Sequence, residues 1–414
     1  MKILYVTGSC LQKNTSANMS HNSYIQGLIE NGCKVDVIMA KDSFGSYDKL
    51  IPKYKEVTYY EYNSIPIINY VRDFVKRILG RSVDNYRVAN ETNSIDRQSC
   101  EKKINLKNII FNSLKLLYNK LIIGETLYPL DRKWLKTASH FKSNSHYDLI
   151  ISNSSPSASH ALVDKIKGKL SYDKWIQIWE DPWYFDIYGQ KDKKIYEEEK
   201  RLISTADNIF YVSPLTLMYQ KKYFCEYSSK MDVIPLPFFK VQKETTPETL
   251  AYGYFGDYYS KTRNLEPFYQ AMINTNSKGY IYGDSDKQFN STNNITVNGR
   301  VTLDELINVQ NKTLVYVSLC NLNGGQIPGK IYHYSATNKP IIFILDGTDD
   351  EIEIIYKYFK QFDRYYFCKN TVENISQLLN RLNNNELSLK KMPIEQFSPQ
   401  NTVNLLLKKV GINL

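Results

Sequence analysis

The segment GGQIPGKIYHYSATNKPIIFI, residues 324–344, combines small residues, a proline and a cation ahead of an apolar run. Pro328 suits the first turn of a helix, and Asn338 can end that helix before the apolar run. Free backbone N–H groups at a helix start bind anions, and the helix dipole strengthens the attraction. Lys330 adds a positive charge. We therefore expect the helix start at Gln326-Ile327-Pro328 to bind a diphosphate.

A second candidate site is the acidic pair Glu180-Asp181, which follows an apolar run over residues 175–179 and precedes Trp183. A carboxylate at the end of a strand can accept hydrogen bonds from sugar hydroxyls or take a proton. An indole face can stack on a sugar ring. Asp181 is therefore a candidate catalytic base, and Trp183 is a candidate ligand contact. The alternative is that Asp181 only caps a turn.

A third candidate loop, Thr7-Gly8-Ser9, ends the first apolar run of the chain. Gly8 permits a tight turn and a close approach of the backbone to a ligand. His21 follows soon after, so Gly8, Ser9 and His21 are candidate contacts for a second substrate. The nicotinamide-cofactor pattern G-x-G-x-x-G is absent, because Gly8 is followed by Ser9, Cys10, Leu11 and Gln12. A dehydrogenase is therefore disfavoured.

Apolar runs and helix-compatible stretches alternate along the chain, and these elements must position the candidate loops. The opening unit has apolar runs at 2–8 and 34–40 with helical spacing over 17–31 between them. Further apolar runs occur at 148–152, 175–179, 208–212, 232–235, 251–255, 279–282, 294–297, 313–319 and 341–345. Strands that alternate with helices predict a parallel sheet, and ligands bind beyond the carboxyl ends of its strands. The polar segment 240–250 divides the pattern into two doubly wound α/β domains.

Length and charge limit the classes of function. The chain has 414 residues, more than a single hydrophobic core usually serves, so two domains are expected. Its net charge of +10 favours anionic partners. The sequence shows no zinc finger, RNA-binding signature or helix-turn-helix pattern, so we expect no nucleic-acid partner. It shows no signal peptide or membrane-spanning run either, so we expect a cytoplasmic protein.

A basic insertion around 66–145 interrupts the first domain. Leu106, Ile110, Leu114, Leu117 and Leu121 recur there at helical spacing among many lysines and arginines. Such a helix can face the core and expose a solvated basic face. The alternative is a helix that lies on an anionic membrane surface.

The segment Pro328 to Tyr334, followed by Asn338-Lys339-Pro340-Ile341, resembles the P-S-K-hydrophobic-x-E-Y...G-K-P signature of GT-B glycosyltransferases. The likeness is strongest to the family-four-like enzymes of bacterial cell-surface and capsular polysaccharide synthesis. It extends to Tyr254-Phe255-Gly256 with Lys261 and Arg263, which is similar to the family's first loop of the C-terminal domain. Other matches are Ile281 to Asp284 with Gly283, Gly299 to Val301, and Ala206 to Pro214.

The resemblance implies a metal-independent, hexosyltransferase-like enzyme with two Rossmann-like domains facing each other across a cleft. A nucleotide-sugar donor, most simply a UDP-sugar, is its co-substrate, and no cofactor or metal is expected. The donor contacts carried over by the resemblance are Gly256, Lys261, Arg263, Gly283, Gly325, Gln326, Ile327, Pro328, Lys330 and His333. Family practice further implies retention of configuration at the anomeric carbon; inversion with Asp181 as general base stays open.

Two departures from the family pattern affect the chemistry. Many relatives carry two glutamates around this loop, one near the transferred sugar and one on the nucleotide ribose. Gly325 and His333 occupy those positions here. His333 can still bond a ribose hydroxyl through either ring nitrogen, but the sugar-side carboxylate is missing. A basic residue that often follows the loop glycine is replaced by Asp257, which leaves Lys261 and Arg263 as the expected phosphate contacts.

The predicted organisation is an acceptor-binding domain at 1–240, a linker at 241–250, a nucleotide-sugar domain at 251–395 and a C-terminal helix at 396–414. That helix can pack back on the first domain. The expected acceptor is a saccharide or a lipid-linked saccharide, with peripheral contact to the inner face of the membrane. A non-catalytic GT-B scaffold or partner subunit is the alternative from another class, because both signature glutamates are lost. A nucleotide-sugar epimerase is a weaker third choice.

Overall fold

The computed structural model describes residues 1–12, 15–41, 47–64, 127–189, 191–239, 247, 249–287, 289–388 and 391–412. Most of the predicted basic insertion, including its leucine-spaced helix, lies outside these residues. Most of the predicted linker also lies outside them. Among the described residues, no helix combines the length and the apolar character needed to cross a membrane.

The first half of the chain forms a parallel sheet of seven strands in the order β3-β2-β1-β4-β5-β6-β7. The strands are β1 (Lys2–Val6), β2 (Lys34–Lys41), β3 (Thr58–Asn63), β4 (His146–Ser154), β5 (Ser171–Trp179), β6 (Asn208–Tyr211) and β7 (Met231–Val233). The central strands are apolar at consecutive positions because helices cover both faces of a parallel sheet. Ile3, Leu4, Tyr5 and Val6 of β1 are accordingly all buried.

The described helices of this half are α1 (Ser16–Glu30), α2 (Arg132–Ala138), α3 (Ala158–Ile166), α4 (Lys193–Thr205) and α5 (Pro214–Tyr223). Local signals fix several of their starts. Thr15 accepts a hydrogen bond from the Asn18 backbone N–H, and Ser213 caps α5 directly before Pro214. A short polar cap followed by proline at the first helical position is a strong helix start, since it satisfies free N–H groups without strain.

The second half repeats the plan with six parallel strands in the order β10-β9-β8-β11-β12-β13. These strands are β8 (Tyr252–Phe255), β9 (Gly279–Tyr282), β10 (Ile295–Asn298), β11 (Val315–Leu319), β12 (Ile341–Leu345) and β13 (Tyr365–Lys369). The described helices are α6 (Glu266–Asn274), α7 (Leu303–Asn311), α8 (Lys330–Tyr334), α9 (Asp349–Lys360), α10 (Val372–Asn383) and α11 (Pro399–Lys409). A capping box between Thr348 and Glu351 starts α9.

The last helix, α11, lies against α1 of the first half. A Cβ atom at Gly27 of α1 would lie 2.1 Å from the carbonyl oxygen of Pro399, so only glycine permits this close packing. Asn31 donates a hydrogen bond to the Gln400 carbonyl, at 2.9 Å, and Lys409 pairs with Asp232 at 2.6 Å. The chain therefore crosses back after the second sheet and joins its two halves.

The predicted fold, two Rossmann-like doubly wound domains, is confirmed. Two edge strands were missed, β3 with sequence TYYEYN and β13 with sequence YYFCK. Neither has the continuous aliphatic run used to predict the other strands. Strand β4 also begins two residues earlier and ends two residues later than predicted, because polar residues at its ends still pair with β5.

Candidate functional site

Loops that follow strands of both sheets meet in a cleft between the two halves. The Gln326 side chain donates a hydrogen bond to Asp181, at 2.5 Å, and accepts one from the Ile187 backbone N–H, at 2.9 Å. Thr216 of α5 donates to the carbonyl of Gly325. Two of the three predicted sites, 180–183 and 324–330, therefore lie together although about 145 residues separate them in sequence.

Three cations converge on the loop that follows β8. The ammonium of Lys330 donates to the carbonyl of Phe255. The Arg263 guanidinium donates to the Asp257 carbonyl and to the Asn321 side chain, both at 2.8 Å. Arg300, which follows β10, forms a two-point ion pair with the Asp257 carboxylate.

Three cations face two carboxylates in this cluster, Asp257 and Asp284, the second of which lies 3.5 Å from Arg300, so the net charge is positive. Desolvation of the ammonium by the surrounding protein atoms lowers the pKa of Lys330 to about 8. The negative charge of Asp257 opposes this decrease, and the positive charges of Arg263 and Arg300 add to it. Burial opposes ionisation of Asp257, but its contacts with Arg300 outweigh burial and lower its pKa. The Lys330 side chain stays exposed to solvent in the cleft. The loop therefore presents positive charge to an incoming anion.

The predicted donor glycines have different structural roles. A Cβ atom at Gly283 would lie 2.0 Å from the carbonyl oxygen of Gly256, so Gly283 is required for the contact between the two loops. Gly256 itself has ordinary space around it, because a Cβ atom there would lie 3.5 Å from the Tyr254 hydroxyl oxygen. Gly283 thus supports the loop, while Gly256 leaves the cleft side of the loop free of a side chain.

The helix predicted to start at Gln326-Ile327-Pro328 and to end at Asn338 is shorter than expected. Helix α8 begins at Lys330 and ends at Tyr334. The Pro328 carbonyl accepts a turn hydrogen bond from Ile331 at 3.2 Å, so the preceding residues form turns rather than a helical first turn. A five-residue helix has a weak dipole, so side-chain cations replace the expected dipole as the main attraction for an anion.

His333 of α8 lies beside the cation cluster. Burial lowers its pKa to about 4, and the nearby Lys330 contributes to the decrease. Its Nε2 atom is buried and has no hydrogen-bond partner among the described residues. A neutral imidazole with a free nitrogen can donate to or accept from a hydroxyl group. Lys261 lies at the entrance of the same cleft and is exposed.

Position 325 leaves little room for a side chain. A Cβ atom at Gly325 would lie 3.0 Å from the ring of Tyr219 and 3.4 Å from Thr216. At Gly324 the backbone has φ +85°, and a Cβ atom would lie 2.4 Å from the Ile187 side chain. The double glycine is thus the point where the second half packs closely against the first.

Asp181 and Glu180 lie on the opposite wall of the cleft. The protein atoms packed around the Asp181 carboxyl group raise its pKa to about 7, and the negative charge of Asp186 contributes to the rise. The hydrogen bond from Gln326 opposes it. Solvent nevertheless reaches Asp181, since its side chain is exposed in the open cleft, and this contact works against the shift. Asp181 is therefore a solvent-accessible carboxylate held by a residue of the other domain.

His21 is completely buried, which changes the predicted role of this residue. Its Nδ1 lies 2.7 Å from the Ser9 carbonyl, and its Nε2 lies 3.3 Å from Glu180. Burial disfavours the charged ring, but Glu180 and the carbonyls of Ser9 and Ser154 outweigh it and raise the His21 pKa. His21 therefore holds Glu180 in place, and we replace the predicted direct contact with a second substrate by this positioning role.

The other candidate contacts of the first domain have structural partners. A Cβ atom at Gly8 would lie 2.2 Å from the ring of Pro156, so packing alone requires glycine here, and its contact with a ligand stays a prediction. The half-buried Ser9 hydroxyl donates to Asn18 at 2.5 Å. Trp183 packs against Tyr128, with ring centroids 5.1 Å apart. Of these residues, Ser9 and Trp183 keep partial solvent contact.

Sequence reasoning missed Glu199, a fully buried carboxylate on α4. It accepts hydrogen bonds from the backbone N–H groups of Trp183 and Tyr184, at 3.2 and 2.7 Å, and so holds the loop that carries Asp181. Burial raises the Glu199 pKa to about 7, and the two N–H donors oppose the rise. Glutamate at one position in a polar helical stretch gives no sequence signal for this role.

Replacing Glu199 by alanine is expected to lower the free energy of unfolding by about 2 to 3 kcal/mol, because two backbone N–H groups lose their acceptor. The native pKa lies above the ordinary value of 4.5, so the stability that Glu199 contributes is largest below pH 4.5 and is lost as the pH rises from there through about 7. Urea denaturation at pH 5 and pH 8 measures both effects. Glu197→Ala, at an exposed position of the same helix, is the control. Equal stability of the two variants would exclude this role.

A pocket of about 400 Å³ opens beside the double glycine. Its walls are the loop 182–187, Lys191, the cleft side of α5, residues 261–262 and the turn 323–325. Another cavity of similar volume, bordered by residues 361–364 and 391–396, contains none of the predicted site residues. The pocket in the cleft is therefore the one that belongs to the candidate site.

One group of possible metal ligands occurs among the described residues: His146, Asp148 and Asp173. These residues lie at or near the amino ends of β4 and β5, whereas Asp181 follows the carboxyl end of β5. His146 and Asp173 are exposed, and Asp148 accepts a hydrogen bond from the Lys2 backbone N–H. The group is therefore separate from the cleft.

No family model and no curated protein matches this chain. Solved structures match nearly its whole length. One is described as trehalose-6-phosphate from E. coli bound with UDP-2-fluoro glucose, with 8% identity, a TM-score of 0.52 and 100% of both chains covered. TarM has 11% identity and a TM-score of 0.52, over 99% of this chain and 98% of its own.

The catalytic domain of starch synthase IV from Arabidopsis thaliana, bound to ADP and acarbose, is a further match. It has 10% identity and a TM-score of 0.52, over 97% of this chain and 94% of that domain. Identities this low show the fold alone. These structures are GT-B proteins, so the predicted GT-B architecture is confirmed.

Proposed function

We propose that this protein is a glycosyltransferase that transfers a sugar from a nucleotide-sugar donor to a saccharide acceptor. The observation that carries the proposal is the cation cluster of Lys330, Arg263 and Arg300, which faces the solvent-accessible Asp181 across one cleft. A UDP-sugar is the proposed donor. The likeness in fold to a protein bound with UDP-2-fluoro glucose supports this choice.

The cation cluster would bind the donor's diphosphate. Lys330 and Arg263 point at the loop 255–257, whose glycine leaves the backbone open to a ligand. Arg300 adds charge, although Asp257 neutralises part of it. The free Nε2 of His333 would bond a ribose hydroxyl. Lys261, with its exposed ammonium at the entrance, would attract the phosphates as they enter.

The reaction breaks the bond between the anomeric carbon and the diphosphate oxygen and forms a bond from that carbon to an acceptor hydroxyl oxygen. The diphosphate leaves with the electron pair, so negative charge grows on it in the transition state. Cations fixed in place before the reaction stabilise this charge more strongly in the transition state than in the ground state. This difference is the proposed source of rate acceleration, without a metal.

Asp181 is the proposed catalytic carboxylate. The position where relatives carry a sugar-side glutamate is Gly325, and Tyr219 and Thr216 crowd that position. Asp181 lies next to it, because Gln326 bonds directly to the carboxylate. It can accept the acceptor's proton or stabilise positive charge on the sugar. We propose retention of configuration, following the resemblance, with inversion through Asp181 as base as the other outcome.

The proposed acceptor is a saccharide or lipid-linked saccharide of surface polysaccharide or glycoconjugate synthesis. The net charge of +10 supports contact with anionic headgroups at the inner face of a membrane, and the proposed location is cytoplasmic and peripheral. The proposed domain division, with the acceptor at the first half and the donor at the second, follows from the cation cluster lying in the second half.

A non-catalytic GT-B scaffold is the second candidate. The observation that favours it is the contact at Gly325, whose carbonyl already accepts a hydrogen bond from Thr216 where a relative's sugar-side glutamate would begin. A scaffold of this kind would bind a glycan or a sister transferase without turnover.

A thermal-shift screen against UDP, GDP, dTDP, CMP and their common sugars tests the proposal. A ligand that binds the native state raises the midpoint of unfolding by mass action. We expect a shift with one nucleotide family, unchanged by a chelator. A shift that the chelator abolishes would refute metal independence, and no shift with any nucleotide would favour the scaffold.

Arg263→Ala is expected to weaken binding of that nucleotide by about tenfold, since one charge-assisted contact is lost. The same substitution should slow transfer by at least as much. Calorimetric titration measures the affinity. Arg381→Ala removes an exposed arginine of α10 and is the matched control. Equal affinity in both variants would remove Arg263 from the site.

A further inference from the structure

The pocket of about 400 Å³ beside the double glycine has walls that suit a polyhydroxylated ring. Its volume lies within the range of about 300 to 1,000 Å³ that small-ligand sites occupy. The walls come from both halves of the chain, so a molecule in the pocket would touch both. The cation cluster accounts for the diphosphate and leaves this pocket without an assigned occupant.

The lining residue Gln220 has an unusual environment. Its side chain is 0% exposed, and neither its amide oxygen nor its amide nitrogen has a hydrogen-bond partner among the described residues. Leaving both ends of a buried amide unpaired is costly, so such a group is normally satisfied. A ligand hydroxyl pair, one donating and one accepting, would satisfy both atoms at once.

Aromatic rings supply the apolar part of the wall. Phe185 stacks on Tyr223 with ring centroids 3.5 Å apart and an interplanar angle of 9°. Tyr219 stacks on Tyr223 at 5.9 Å. All three rings are half-buried and line the pocket. A sugar ring has an apolar C–H face and polar edges, and a wall with rings on one side and an amide on another matches that chemistry.

The charges around the pocket favour a neutral occupant. Lys191 and Lys261 are the lining cations, and Asp186 is a lining anion. Asp181 lies within electrostatic range of Asp186 and brings a second negative charge. The Lys191 ammonium already donates to the carbonyls of Tyr184 and Asp186, at 2.8 and 3.2 Å. No net charge of either sign is left to select an ionic group.

We propose that this pocket binds a neutral sugar ring of one of the two substrates, with Gln220 bonding its hydroxyl groups. The assignment rests on the proposed transferase function. The ring belongs either to the donor or to the acceptor. Both have the same chemistry, and the two arms of the experiment distinguish them.

The test compares wild-type protein with Gln220→Met, which keeps the size of the side chain and removes both amide atoms. Gln361→Met, at an exposed glutamine of the other cavity, is the matched control. The first arm measures calorimetrically how much more tightly UDP-glucose, UDP-galactose and UDP-N-acetylglucosamine bind than UDP. The second arm measures saturation transfer from the protein to free glucose, galactose and N-acetylglucosamine with UDP present.

We expect Gln220→Met to unfold no earlier than wild type, because the amide it removes is unpaired. UDP affinity should stay unchanged. Either the affinity gain of the UDP-sugars over UDP or the saturation transfer to the free sugars should fall by about tenfold, because two hydrogen bonds are lost. A fall in the first arm assigns the donor's sugar to the pocket, and a fall in the second assigns the acceptor's. Unchanged sugar readouts in both arms overturn the assignment. If UDP binds in that case, the proposed function survives; if no nucleotide binds, that function fails separately.

Discussion

Lys330→Met is expected to lower kcat/KM for the donor by about 100-fold to 1,000-fold, the usual loss when one preorganised charge stabiliser is removed from a transition state. Lys330 donates to the backbone carbonyl of Phe255, at the start of the β8 loop. Methionine keeps the length of the side chain and removes its charge. The loss should appear mainly in kcat, because the departing diphosphate gains charge only as the bond breaks.

The pH dependence gives an independent check on Lys330. With its pKa lowered to about 8, the ammonium is present below pH 8 and is lost as the pH rises above it. A bound diphosphate favours the charged form and raises that pKa. Nucleotide affinity should therefore be full at pH 7 and fall as the pH passes 8. In Lys330→Met this fall should disappear, while Lys312→Met, an exposed control, should keep it. A wild-type affinity that is constant to pH 9 would contradict this assignment.

Asp181→Asn is expected to lower kcat by about 100-fold or more, the usual contribution of a positioned proton acceptor. The asparagine oxygen can still accept the hydrogen bond from Gln326, so the contact between the domains should persist. Nucleotide affinity should not change. Single-turnover kinetics and calorimetry separate the two quantities.

The kcat of the wild type should rise with pH as Asp181 ionises, at a pH above the ordinary carboxyl range and no higher than about 7, since only the carboxylate accepts a proton or stabilises positive charge. This limb of the pH profile should be absent from Asp181→Asn. Asp173→Asn, at an exposed position near the other end of β5, should behave as wild type. Full activity in Asp181→Asn would assign catalysis to another group, such as Glu180.

The fold was predictable because its signals are local. Parallel strands buried on both faces give apolar runs such as residues 2–6 and 341–345, and the alternation with helices fixes the class. The missed strands, β3 and β13, lie at sheet edges and are built from tyrosine, phenylalanine and polar residues. Edge strands are buried less completely, so the selection for aliphatic residues is weaker there.

The candidate site was predictable only in part. Lys330 was found from its place beside the glycine- and proline-containing turn and Arg263 through a resemblance, and both donate to the same loop. Arg300 was passed over, because its importance comes from a pairing with Asp257 across 43 residues. Contacts of this kind depend on which strand ends are neighbours in the sheet, and periodicity does not reveal them.

Burial explains the remaining differences. A histidine shortly after a strand end looks like a ligand contact, yet His21 lies fully inside the first domain and pairs with Glu180. Gly8 has a packing reason that the sequence did not reveal, because the ring of Pro156 occupies the space where a Cβ atom would lie. Gln220 carries no sequence signal at all, because an unpaired amide is visible only once its surroundings are known.

Comparing the affinities of UDP and uridine by calorimetry tests the central claim most directly, because the two ligands differ only in the diphosphate. If Lys330 and Arg263 bind phosphate, UDP should bind about 100-fold more tightly than uridine, because each of the two charge-assisted contacts contributes about tenfold. That advantage should fall by about tenfold in Lys330→Met, because the Arg263 contact stays in place. Equal affinity for UDP and uridine, or an advantage that Lys330→Met retains in full, would contradict the assignment of a nucleotide-sugar site to this cleft.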